Sequence, residues 1–157
     1  PALQSHYRFG VSSYCTEVSY YAGGSYWDMQ TTDLFNDGVS VTGAGNRLTM
    51  AKGVAPYLSG GAYNYSGENS ALASLTFSPS TGIFKGKFNL YYDYSLNGRL
   101  THKVVSVPYT GVLTPVCGPA FSSFPYGLGN CLVPDNDPAV SAYRLKRSYW
   151  VTLEDAP

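Results

Sequence analysis

Hydrophobic and polar positions alternate along much of this chain. Between Ile83 and Tyr92, Phe84, Gly86, Phe88, Leu90 and Tyr92 share one parity, while Lys85, Lys87 and Asn89 share the other. Successive strand residues point to opposite faces, so this period of two predicts a half-buried strand with its aromatic side inward. Asn97-Gly98 follows, a pair that tolerates the positive φ angles of a two-residue hairpin turn. Beyond it, Val105, Val107, Tyr109, Gly111 and Leu113 hold one face of the returning strand. Pro108 has no N–H to give to a ladder, which predicts a sheet edge or a bulge there.

Other segments repeat the pattern. Tyr14, Thr16, Val18 and Tyr20 alternate, and Val39–Thr42 and Arg47–Met50 flank Gly43-Ala44-Gly45 as a further hairpin. Leu75 and Phe77 share a face, Ser78–Gly82 turns the chain into the Ile83 strand, and Tyr149, Val151 and Leu153 close the sequence. Helical periodicity is almost absent. Turn signals every 8–12 residues or so predict an all-β fold, an antiparallel β-barrel or β-sandwich of roughly eight to ten strands. Residues 21–30 and 118–130 read as the long irregular stretches, where function usually sits. Nothing resembles a linker, so residues 1–157 are expected to form a single domain.

Composition narrows the partners. Charged residues make up only 13% of the chain and aromatics 15%, with 15 Tyr, so solubility rests on Tyr, Ser, Thr, Asn and Gly. Ten basic and ten acidic residues cancel, which argues against a general nucleic-acid or anionic-membrane binder. No apolar run is long enough for a membrane helix.

Candidate chemistry is sparse. His6 and His102 share no metal-ligand spacing with each other or with a cysteine, so neither a metal nor a cofactor is expected. His102 reads as an exposed strand residue, on the face opposite Val105 and Val107. No Gly-x-Ser-x-Gly elbow is present. A small hydrolase would draw on Asp28, beside Trp27, and Asp93, among Tyr91, Tyr92 and Tyr94; turn or surface roles are the ordinary use of such residues. Asp135-Asn136-Asp137 offers oxygens but lacks the glycine and distal glutamate of a calcium loop. Cys117 and Cys131 bracket a Gly-, Pro- and aromatic-rich segment, an arrangement that predicts a disulfide across it, leaving Cys15 as a small buried hydrophobe.

The aromatics are the positive signal. Tyr20, Tyr21, Tyr26 and Trp27 surround Gly23-Gly24, Tyr57, Tyr63 and Tyr65 surround Gly60-Gly61, and Phe121, Phe124 and Tyr126 lie between the cysteines. Rings beside Gly-rich backbone can stack on sugar faces or anchor a protein, at low entropic cost. Tyr26, Trp27, Phe121, Phe124 and Tyr126 are the candidate ligand-binding residues.

The stretch from Glu68 to Phe88, with Thr81-Gly82-Ile83-Phe84-Lys85-Gly86-Lys87-Phe88 at its end, and the later Gly111-Val112-Leu113 carry a resemblance. They look like the C-terminal β-repeat modules (Thr-Gly-x-Phe-x-Gly-x-Phe, hairpin, Gly-Val-Leu) of large secreted bacterial surface proteins. The likeness covers residues 46–115 and the tail from Leu145 to Val151, and it implies a secreted or cell-surface location without an activity to transfer. Together these readings lead to a non-catalytic binding module whose partner is a glycan or a cell-surface protein. A structural or assembly module with self-association is the alternative, and a small hydrolase the third.

Overall fold

The computed structural model describes residues 3, 6–11, 20–22, 25–30, 38–96, 98–115, 125–134 and 146–156. They form twelve strands: β1 (His6–Val11), β2 (Tyr20–Ala22), β3 (Ser25–Gln30), β4 (Val39–Ala44), β5 (Arg47–Met50), β6 (Tyr57–Ser59), β7 (Ala62–Asn64), β8 (Ser74–Ser78), β9 (Ile83–Leu96), β10 (Arg99–Pro115), β11 (Pro125–Pro134) and β12 (Lys146–Asp155). Every pairing is antiparallel. Eight strands, in the order β8-β9-β10-β11-β12-β1-β4-β5, curl into a nearly closed barrel, so the all-β expectation holds.

β9 and β10 outgrow that barrel. The start of β9 pairs with β8 and its far end with β3, so the β2–β3 hairpin extends the sheet beyond the barrel. The expected hairpin between β9 and β10 is present, with Leu96 opposite Arg99 and Gly98 at φ 74°. Pro108 falls one residue before the described β10–β11 ladder starts at Tyr109, so its missing N–H takes nothing from that pairing.

Alternation fills the barrel from every wall. Tyr7, Phe9 and Val11 of β1, Val39 and Val41 of β4, Phe84, Phe88 and Leu90 of β9, Val107 and Tyr109 of β10, and Val151 and Leu153 of β12 are all buried. Gly86 lies between Phe84 and Phe88 because a side chain there would collide with the Ser74 carbonyl and the Tyr109 hydroxyl. That hydroxyl instead donates to the Ser74 carbonyl at 2.6 Å, joining β10 to β8 across β9. Phe84 in turn occupies the space left by Gly111 and Gly127.

No backbone ladder joins β5 to β8 among the described residues, and Asn69 spans that seam. Its buried amide donates to the Ala51 carbonyl at 2.7 Å and to the Ala73 carbonyl at 3.0 Å, and accepts from the Ala73 N–H at 2.8 Å. One side chain thus ties the exit of β5 to the entrance of β8. Next to it, the Glu68 carboxylate accepts from the Ser40 N–H and hydroxyl on β4.

Three expectations are corrected. The described part of residues 21–30 is not irregular: it belongs to β2 and β3, paired Tyr20 to Trp27 and Tyr21 to Tyr26. The end of the second stretch, from Pro125 onward, is likewise strand β11, because partners on both sides satisfy its backbone. Cys131 is a free thiol, 2% exposed and facing the core from β11, rather than half of a bridge. Closeness in sequence to Cys117 said nothing about which way the Cys131 Cβ points. Cys117 and Cys15 lie outside the described residues.

Candidate functional wall outside the barrel

The interior is filled by rings, so the chemistry open to a partner lies on the outer parity of the same strands. Register places these outer residues in rows. Lys85 on β9 stands opposite Thr110 on β10, Thr110 opposite Asn130 on β11, and Asn130 opposite Trp150 on β12. All four are exposed, Trp150 by 55%. At about 4.8 Å between neighbouring strands, the row runs for roughly 14 Å from the backbone of Lys85 to that of Trp150.

Two rows flank it. On one side Ile83, Val112 and Leu128 are paired in succession, each at least 40% exposed, with Thr152 next on β12. On the other side Lys87 pairs with Pro108, and Leu132, 50% exposed, pairs with Ser148. The wall therefore offers an indole ring, an amide, a hydroxyl and an ammonium in line, bordered by aliphatic surface. Trp150 was not among the expected site residues. Its parity, opposite to Tyr149, Val151 and Leu153, is the signal that could have found it.

The sequence candidates do not converge. Tyr126 lies on β11 at the wall's edge, half-buried and opposite Thr114, whose hydroxyl donates to the Tyr126 carbonyl. Burial raises its phenol above the ordinary value, and the nearby Glu154 carboxylate adds to that. Tyr26 and Trp27 sit on β3, with Trp27 opposite Tyr94, itself opposite Thr101. Thr101 and Thr114 are thirteen positions apart on β10, roughly 40 Å of strand at about 3.3 Å per residue, so these aromatics belong to different ends of the sheet. Phe121 and Phe124 lie outside the described residues, as does Asp135-Asn136-Asp137.

Register also aligns three titratable residues that the sequence separates. Asp28 stands opposite Asp93, and Asp93 opposite His102. His102 is on the outer parity, as expected, yet half-covered: the Tyr63 ring meets it edge-on at 5.5 Å. Tyr63 and Tyr65 also pack on Tyr91, at 5.0 and 5.8 Å, and the Tyr91 hydroxyl donates to the Ser70 carbonyl. These tyrosines staple the β6–β7 hairpin to the outside of β9 and β10. Among the described residues no three His, Cys, Asp or Glu side chains gather as metal ligands, and no helix is long and apolar enough to cross a membrane.

Comparison with protein-family models, curated proteins and solved structures finds no match to the chain.

Proposed function

We propose that this protein is a non-catalytic binding module, secreted or displayed at a cell surface, whose ligand is a glycan held on the outer wall. The observation that carries the reading is the exposed row Lys85–Thr110–Asn130–Trp150. An indole face stacks on the C–H face of a sugar, while amide and hydroxyl groups at fixed strand spacing meet its hydroxyls. Rigid strands hold these groups in place, so little conformational entropy is lost on binding. The resemblance of residues 46–115 to β-repeat modules of secreted bacterial proteins agrees with the location.

A glycan-array screen followed by calorimetry tests the reading. Trp150→Ala should abolish binding of whatever oligosaccharide the array identifies, and Trp27→Ala should leave it intact. The reverse pattern would move the site to the β2–β3 hairpin.

The exposed aliphatic row Ile83–Val112–Leu128 favours a second reading, an assembly module that buries this strip against a copy of itself. Light scattering on Val112→Asp decides it: a wild-type oligomer that becomes monomeric in the variant would put assembly ahead.

A further inference from the structure

We infer that the wall selects carboxylated glycans, those built from uronic or other acidic sugars, over neutral ones. This rests on the glycan-binding reading and goes beyond it by naming the sugar class. The argument is charge complementarity. Across the central row and the two beside it, the described residues supply two cations, Lys85 and Lys87, and no carboxylate. The chain as a whole is balanced, with ten basic and ten acidic residues, so this local excess is not a by-product of overall charge. The carboxylate nearest on β12, Glu154, lies one row beyond Thr152, opposite Arg8 of β1.

Position supplies the rest. Lys85 and Lys87 lie two residues apart on one strand and on one face, so their ammonium groups border the same end of the wall. Trp150 marks the other end, three strand spacings away, roughly 14 Å. A sugar stacked on the indole therefore directs the next units of its chain along Asn130 and Thr110 toward the two ammoniums. A carboxylate on one of those units gains a charge-assisted hydrogen bond that a hydroxymethyl group in its place cannot match. Both lysines are exposed, so the attraction is screened by salt, and selectivity should be greatest at low ionic strength.

The test uses the whole chain and oligosaccharides of three to six galacturonate, glucuronate or mannuronate units, each beside its carboxyl-reduced neutral counterpart. The expected result is at least tenfold tighter binding of one uronate series than of its reduced form at low salt, narrowing as salt rises. The double variant Lys85→Gln/Lys87→Gln should bring the two forms to equal affinity without shifting the melting temperature, whereas Trp150→Ala should weaken both. Equal binding of uronate and reduced forms by the wild type would overturn the inference. So would an unchanged preference in the double variant, even where Trp150→Ala still abolishes binding; glycan binding would then stand and acid selectivity fall. Binding of no oligosaccharide in either form, or binding of an acidic protein in their place, would remove the glycan reading and this one with it.

Discussion

Inner and outer faces of one strand differ here as sharply as two proteins might. On β12, Val151 and Leu153 are fully buried, while Trp150, next to Val151, is 55% exposed. On β9, Phe84 and Phe88 are fully buried and the intervening Lys85 and Lys87 are exposed. The inner face is set by volume: rings, valines and glycines fit one another, and each change is felt by its neighbours. The outer face is open to solvent, and it carries the groups proposed to meet a ligand. Core packing and the proposed recognition therefore fall on alternate residues of the same strands, which makes them separable by mutation.

The largest test of that separation is Phe88→Ala, which should cost about 3–5 kcal/mol in denaturant unfolding, against a near-neutral Lys87→Ala one residue away. Equal small losses at both positions would mean that the two faces are not distinct.

Asn69→Ala comes next, at about 3 kcal/mol, because it strands the Ala51 carbonyl and the Ala73 N–H and carbonyl at the barrel seam. Hydrogen exchange should rise first in β5 and β8; uniform exchange across the barrel would show that Asn69 is not a local clasp.

Smaller again is Tyr109→Phe, which removes the bond to the Ser74 carbonyl while keeping the ring, for about 1 kcal/mol.

Cys131 sharpens the comparison through pH. Burial pushes its thiol from 9.0 up to about 12, opposed by a backbone hydrogen bond at Tyr149. The native thiol keeps its proton where the unfolded one has lost it, so its contribution is complete below pH 9 and declines as pH rises toward 12. Unfolding curves should weaken across that window, and less so in Cys131→Ala. A thiol reagent near neutral pH should leave Cys131 unmodified until the protein unfolds; finding it cross-linked to Cys117 would contradict the free thiol.

The smallest expected effect on stability, under about 0.5 kcal/mol, belongs to Trp150→Ala, the change that should matter most for binding. A large loss there would assign the ring to packing and leave the wall without its anchor.

Much of the barrel was legible in the sequence because alternation encodes it directly. Phe84 and Phe88 were assigned to the inside by parity alone, Val107 and Tyr109 were grouped on one face, Val151 and Leu153 were read as part of the closing strand, and Asn97-Gly98 located the hairpin. β1 was missed although Tyr7, Phe9 and Val11 alternate as cleanly, since its six residues carry no flanking hairpin signal. The candidate site was far less legible. Tyr126 was found near the wall, but Trp27 was grouped with it on loop composition, which carries no distance.

Period two and turn chemistry are local properties, so the chain by itself determined that it forms strands, which side of each is apolar, and where the longest hairpin bends. Tertiary structure decided what depends on neighbours remote in sequence. It placed β1 between β12 and β4, set Asn69 across the seam, and turned Cys131 into the core. It also aligned Lys85, Thr110, Asn130 and Trp150 across four strands. Register is fixed only when every strand buries its apolar face at once, because a one-residue slip would turn each face inside out.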